Sequence, residues 1–378
     1  MTEVGAIPEE WNVVSIGELA SFSSGSGISV TSLRGKSPET PVPVFGGNGI
    51  AGYTYRSLVN EPTIVVGRVG QRCGEVYLSS GPAWITDNAL YPRTKHRQFD
   101  VRFLAIALAG RGLNGLKNKN DLPLLTQTIL QSARVALPLR IEEQRAIASA
   151  LSDVDALLGG LDQLIAKKRD LKQAAMQQLL TGKTRLGRFK EEWEVTRLGD
   201  ICEIAMGRTP PRHNPAFWGE GYVWLSIADL QSKFVDNSKE HITGVAASTM
   251  TVIPKGTLLM SFKLSIGRLC FAGCDLFTNE AICSFNSLQA NADFLYYALG
   301  RIDFSIYGKQ AVKGYTLNKE SLKIVEVPLP SPCEQAAIAA VLSEMDAELA
   351  ALEARREKTQ ALKQGMMQEL LTGRIRLV

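Results

Sequence analysis

Glu143–Leu186 reads EQRAIASALSDVDALLGGLDQLIAKKRDLKQAAMQQLLTGKTRL, and Glu334–Leu377 reads EQAAIAAVLSEMDAELAALEARREKTQALKQGMMQELLTGRIRL. Aligned without a gap, 23 of 44 positions are identical, including Leu179-Leu180-Thr181-Gly182 against Leu370-Leu371-Thr372-Gly373. In the first copy, apolar or small residues fall three or four apart at Ile147, Leu151, Val154, Leu158, Leu161, Leu164, Leu171 and Ala175. The second copy repeats the pattern with Ile338, Leu342, Met345, Leu349, Leu352, Leu362 and Met366, and both carry charge on the opposite face. Prolines precede or open each copy (Pro138; Pro328, Pro330, Pro332), and Glu142-Glu143 or Glu334 suits the positive end of a helix dipole. Gly182 and Gly373 stand where a left-handed cap would end the helix. Each copy therefore predicts a helix of about 38 residues, a rod of roughly 55–60 Å. So narrow a stripe on so long a helix needs cover. The cheapest cover is the other copy, in an antiparallel intramolecular coiled coil. Ile147, Leu151, Leu158, Leu161 and Leu171 would then face Ile338, Leu342, Leu349, Leu352 and Leu362. Gly159-Gly160 weakens the first helix locally, by about 1 kcal/mol per glycine.

The duplication extends outward from the helices. Glu9-Glu10-Trp11 recurs as Glu191-Glu192-Trp193, and Val13, Gly17 and Gly25 match Val195, Gly199 and Gly207. The order is block, helix, block, helix, with expected segments 1–140, 141–187, 188–330 and 331–378. The blocks read as mixed α+β. Strand-like runs are PVPVF (41–45), TIVVG (63–67), YVWLS (222–226), GTLLMSF (256–262) and KIVEVPL (323–329). Helix-like runs are FDVRFLAIALAG (99–110) and ADFLYYALG (292–300).

Bulk properties narrow the function. The 378 residues carry a net charge of +4, with 45% hydrophobic and 21% charged residues, ordinary for a globular protein. No apolar run reaches the ~18–20 residues a membrane span needs, and a cytoplasmic location is expected. The six scattered cysteines suit reduced thiols, and the Cys270, Cys274, Cys283 spacing does not match a zinc site. Residues 1–140 hold the excess of positive charge, while residues 188–330 balance. Any nucleic-acid contact must come from local clusters, not a basic tail.

Two motifs resemble cofactor loops. Phe45-Gly46-Gly47-Asn48-Gly49 satisfies F-x-G-x-G, but Asn48-Gly49 reads as a turn into a strand, without the following helix that S-adenosylmethionine binding needs. Gly182-Lys183-Thr184 mimics a phosphate loop, yet it closes a helix, where no backbone N–H groups are free. His96, His213 and His241 show no accompanying acid, base or nucleophile pattern. No catalytic residue, metal or bound cofactor is expected.

Loops mixing basic, amide and aromatic side chains remain, suited to phosphate contact and base reading. In the first block they offer Asn48, Arg68, Gln71, Arg72, Lys95, Arg97, Lys117 and Lys119. In the second they offer Arg208, Arg212, His213, Lys263, Arg268, Lys309, Lys313 and Tyr315.

Over essentially its whole length the chain resembles the specificity subunits of type I restriction–modification systems. The resemblance rests on the two P…EQ..I…L…D helix entries with their LLTG(K/R) exits. It also rests on GRTPPRHNPAFWGEGYVWLS, PKGTLLMSF and Thr278-Asn279-Glu280-Ala281 in the second block, and on FGGNGIAGY and VVGRVGQRCG in the first. It implies two target recognition domains, each reading half of a bipartite duplex site, and paired helices that set the gap. The same helices would dock two modification subunits, which bring S-adenosylmethionine, while restriction and motor subunits supply ATP and Mg chemistry. Two rival readings are a self-sufficient DNA adenine methyltransferase and a coiled-coil scaffold that does not bind DNA.

Overall fold

The computed structural model describes residues 7–116, 123–187, 189–311 and 314–377, with backbone alone for 309–311 and 314–316. The first half of the chain runs β1 (Trp11–Ser15), α1 (Ile16–Leu19), β2 (Ala20–Ser24), β3 (Val42–Gly46), β4 (Gly49–Thr54), β5 (Thr63–Gly67) and β6 (Val76–Ser79). It continues through β7 (Trp84–Ile85), β8 (Ala89–Lys95), α2 (Val101–Arg111), α3 (Gln127–Ser132) and β9 (Arg134–Pro138) to the long α4 (Ile141–Leu179). The second half runs β10 (Glu194–Arg197), α5 (Leu198–Ile201), β11 (Glu203–Met206), β12 (Trp218–Leu225), β13 (Phe234–Val235), β14 (Glu240–Ile242), α6 (Gly244–Ala247) and β15 (Leu258–Ser261). It continues with β16 (Leu269–Ala272), β17 (Phe277–Thr278), β18 (Ile282–Asn286), α7 (Ala292–Leu299), β19 (Lys309–Ala311), β20 (Gly314–Thr316), α8 (Lys319–Lys323), β21 (Glu326–Leu329) and the long α9 (Pro332–Leu370).

Two compact units result. Unit 1 comprises residues 1–163 and 354–378, and unit 2 comprises 164–353. Each unit thus takes the start of one long helix and the end of the other.

The two units share one plan. In unit 1 the order β2-β8-β5-β6 makes one sheet and β4-β3-β7 a second, with β3 and β7 parallel. In unit 2 the orders are β11-β18-β15-β16-β13 and β14-β12-β17, with β12 and β17 parallel. The extra edge strand β13 is the main difference. In both units a two-stranded ladder ties the start of the block to the residues just before its helix, β1 to β9 and β10 to β21.

Each core reaches from the sheet into the helices. In unit 1, Phe103, Leu104 and Leu108 of α2 pack with Ile64, Val66 and Leu90, and with Ile147, Leu151 and Leu370 from the long helices. In unit 2, Phe294, Leu295 and Leu299 pack with Leu258, Met260 and Phe285, and with Ile338, Leu342, Leu179 and Leu180. A helix stripe that cannot be buried by its own turns is thereby absorbed by a block's core.

The helices run antiparallel within each unit, as the ion pairs show. Asp155 pairs with Lys363 (2.5 Å) and Asp162 with Arg356 (2.5 Å) in unit 1; Lys168 pairs with Glu348 (2.6 Å) and Lys172 with Asp346 in unit 2. The expected seam needs correction at two positions. Ile147, Leu151, Leu158, Leu161, Ile338, Leu342 and Leu349 are buried and Leu352 is half-buried, but Leu171 is 47% exposed and Leu362 is 59% exposed. A strict four-then-three spacing from Ile147 passes through Ile165, Lys168 and Lys172, not through Leu164 and Leu171; from Ile338 it passes through Thr359 and Lys363, not Leu362. Reading leucines alone slipped off the stripe by one residue. The lysines serve the seam with their aliphatic stems and place their ammonium groups on acids of the facing helix.

Both helices end as their sequences require. Gly182 and Gly373 adopt left-handed φ values of 68° and 71°. Thr181 and Thr372 donate back to Gln177 O (2.7 Å) and Gln368 O (2.6 Å). Gly159 and Gly160 lie within unbroken helix on its exposed side.

Candidate nucleic-acid interface

The repeated Glu-Gln pair explains how each block is held. Gln144 accepts from Asp100 N (2.8 Å) and donates to Pro138 O (2.8 Å), joining the start of α2 to the end of β9. Gln335 does the same with Asn291 N (2.8 Å) and Pro330 O (2.8 Å). Glu143 and Glu334, 1% and 0% exposed, take the guanidinium of an arginine just beyond the other helix. Arg376 Nη2 donates to Glu143 (2.8 Å), and its Nη1 to Glu10 (2.6 Å). Arg185 donates twice to Glu334 (2.6 Å each) and to Glu191 O (2.8 Å). Hydrogen bonding to these carboxylates pushes both arginines above their ordinary pKa, so each stays cationic. The Leu-Leu-Thr-Gly run is therefore a cap that delivers an arginine to the other helix's first turn. Gly182-Lys183-Thr184 holds no phosphate-loop geometry.

On this support the loops of each sheet gather at one edge. Gly25 lies so close to the β7–β8 loop that a Cβ there would sit 2.0 Å from Ile85 O; at Gly207 it would sit 2.1 Å from Thr278 Oγ1. Only glycine permits that approach. Ser26 N bonds Ile85 O (2.9 Å) as Arg208 N bonds Thr278 O (2.8 Å), which sets the register between units. In that register Asp87 of unit 1 matches Glu280 of unit 2, and both are exposed.

In unit 1, Asn48 is exposed at the β3–β4 turn and lines a cavity of about 280 Å³ with Asp87 and Asn88. Gly46 to Gly49 form an antiparallel hairpin turn with Gly49 at φ 94°, the turn into a strand that Asn48-Gly49 predicted. Arg68 leans inward; it donates to Ser24 Oγ (2.9 Å), and its backbone bonds match those of the buried Phe262. Gln71 and Arg72 are exposed in the same loop, with Arg72 3.8 Å from Glu75. Lys95 and Arg97 do not join this group. They sit at the far end of the seven-residue β8, about 20 Å along the strand. There Lys95 lies 5.8 Å from the Phe99 ring centroid and Arg97 lies 3.6 Å from Glu18. Lys117 and Lys119 fall outside the described residues.

In unit 2, Arg208 is exposed and lines a cavity of about 340 Å³ with Met250, Thr278 and Asn286. Arg212 is already committed. Its guanidinium grips Glu240 twice (2.5 and 3.1 Å) and lies 4.0 Å from the Trp218 ring centroid and 5.0 Å from that of Trp224. It fixes the loop that presents Arg208 and the exposed His213. Glu280 accepts from Thr209, and this bond, with Lys263 and Arg212 near, holds its carboxyl below the usual range. Lys263 is half-buried beside Phe262, and Arg268 is exposed where the same turn ends. Lys309 and Tyr315 lie on the β19–β20 hairpin, and Lys313 falls outside the described residues.

Sequence reasoning passed over Asp87, Asn88 and Glu280, which stand exposed at this loop edge. Thr-Asp-Asn-Ala and Thr-Asn-Glu-Ala look alike in sequence, but the backbone bonds pair Asp87 with Glu280, one residue off that alignment. Among the described residues no cluster of His, Cys, Asp and Glu could hold a metal, and no helix is long and apolar enough to cross a membrane. Burial pushes the Cys202 and Cys270 thiols up to about 11 and about 12.

A family model for the type I restriction modification DNA specificity domain matches residues 8–167 and again 190–364. The chain belongs to that family. It is a specificity subunit with two specificity domains. The putative MjaX specificity subunit of Methanocaldococcus jannaschii is 25% identical over 421 residues, covering 100% of this chain and 96% of that protein. The MjaVIII specificity subunit of the same organism is 24% identical, covering 98% and 94%. The MjaIX specificity subunit reaches 32%, over 43% of this chain and 40% of its own length. A crystal structure of the type I specificity subunit from M. genitalium shares the fold with a TM-score of 0.68 at 17% identity, covering 98% of both chains.

Proposed function

We propose that each unit of this specificity subunit reads one half of a bipartite duplex through the loop edge described above, and that the paired helices set the distance between the halves. The observation that carries the reading is the repeated loop edge. Arg208, His213, Lys263 and Arg268 on one unit, and Asn48, Gln71 and Arg72 on the other, occupy the same end of the same sheet plan. Exposed arginine pairs with guanine or phosphate, asparagine with adenine, and the side-chain oxygens of Asp87 or Glu280 accept from a cytosine amine. Such loops on a rigid scaffold are where sequence reading belongs.

The subunit itself performs no chemistry in this reading. Two modification subunits dock on the helices and bring S-adenosylmethionine, and restriction subunits supply ATP-driven, Mg-dependent cleavage, all in the cytoplasm. Methylome sequencing of cells expressing this chain with its modification partner tests the proposal. A two-part motif with a fixed gap is expected. Removing one heptad from the centre of each helix should shorten the gap by about three base pairs, since seven residues rise about 10.5 Å. A continuous motif, or half-sites that change while the gap stays, would overturn it.

A further inference from the structure

Unit 2 extends a helix–helix ion pair into a polar junction that has no full counterpart among the described residues of unit 1. Tyr297 on α7 is 2% exposed, and its hydroxyl donates to Asp346 Oδ2 of α9 (2.5 Å). Lys172 of α4 pairs with the other oxygen of the same carboxylate. Lys233 closes the group: its Nζ donates to Tyr297 OH (3.1 Å) and Ser343 Oγ (3.3 Å) and pairs with Asp293 (2.8 Å). The ammonium also lies 4.8 to 5.8 Å from the ring centroids of Tyr297, Tyr296, Phe271 and Phe234. Lys233 is carried by the turn into β13, an edge strand without a counterpart among the described residues of unit 1, and its carbonyl accepts from Phe271 N (2.7 Å). One side-chain network therefore joins the outer strand, α7, α9 and α4. Burial, with the Asp346 bond adding to it, raises the Tyr297 phenol above its ordinary range, so it remains a donor at neutral pH.

The matching place in unit 1 keeps the helix–helix ion pair, Asp155 with Lys363, but carries an isoleucine in place of the phenol. The bond from Asp100 N to Gln144 and that from Asn291 N to Gln335 align α2 with α7, which puts Ile106 where Tyr297 stands. Asp155, at the position of Asp346, has Lys363. Apolar packing resists separation but is tolerant of small rotations, whereas a converging set of hydrogen bonds has one geometry.

We infer that Lys233 and Tyr297 are positioning residues that fix the orientation of the second recognition domain on the helices, so that unit 2 accepts its half-site at one spacing only. This rests on the bipartite reading proposed above. Tyr297→Phe keeps the ring and removes the hydroxyl, Lys233→Met keeps the stem and removes the charge, and the pair can be combined. The full chain is studied with its modification subunits on duplexes whose gap is varied by one base pair either way. Expected are about tenfold faster amide exchange in α7 with α2 unchanged, less methylation at the native gap, more at the neighbouring gaps, and unaltered half-site bases. Native gap selectivity in both single variants and in the double variant would overturn the inference, as would coupling absent from the double-mutant cycle. If the unaltered chain itself showed no gapped motif, the bipartite reading would fail, and the exchange data would still report whether the network holds α7.

Discussion

Unit 1 and unit 2 hold their helix starts with the same atoms, yet they meet the outside with different ones. Gln144 and Gln335 make matching bonds, as do the Glu143–Arg376 and Glu334–Arg185 pairs. At the loop edge the likeness ends. Unit 2 packs Arg212 against two tryptophans that touch each other, while unit 1 offers a glycine hairpin carrying Asn48. The contrast separates two jobs. The Glu-Gln and arginine mounts are common to both units, because the two helices repeat one sequence, and the Lys233–Tyr297 junction adds to the second. Atoms that read must differ if the two half-sites differ.

That contrast can be broken at several places. Leu151→Ala and Leu342→Ala, both 0% exposed at matching positions, should each destabilise its own unit by about 3–5 kcal/mol. Amide exchange in α2 and α7 reports the two losses separately, and strongly unequal losses would deny that the mounts are equivalent. Gln144→Ala and Gln335→Ala each leave buried backbone groups unpaired and should cost about 1–3 kcal/mol in the same measurement. Arg208→Ala should weaken discrimination at one base of a single half-site by about 1–3 kcal/mol, read by methylation of variant duplexes. Lys95→Ala, away from the edge, should leave both half-sites as they were. Leu171→Ala and Leu362→Ala, off the seam, should change stability by no more than about 0.5 kcal/mol in urea titrations.

A last comparison uses pH. Cys202 and Cys270 of unit 2 have folded values of about 11 and about 12, above the ~8.5 of an unfolded thiol. Their stabilising contribution is whole below about pH 8.5 and declines as pH rises toward the folded values. Thermal unfolding at pH 8 and pH 10 should therefore show unit 2 losing more than unit 1.

Much of the architecture was legible because it is written twice. The stripes from Ile147 and Ile338 and the glycine caps appear where their spacing places them, and TIVVG is β5 residue for residue, but KIVEVPL is strand only from Glu326, since Lys323 closes α8. The seam failed at Leu171 and Leu362 because a leucine and a lysine stem can fill the same groove, and hydrophobicity alone favours the leucine. The loop edge was only partly legible. Arg68, Arg212 and Lys95 look alike in sequence, and only their partners separate an inward arginine, a stacked one and a lysine at the wrong end of a strand. Asp87 and Glu280 were passed over because the loops were read for basic, amide and aromatic side chains.

The division of the chain between units has a consequence for how it is made. Unit 2 is a single stretch, 164–353, while unit 1 needs residues 354–378 to complete its core with Leu370 and to bring Arg376 to Glu143. Domains tend to close as their residues leave the ribosome. Here the first block to be synthesised is completed only by the last residues to be made, after the whole of the second.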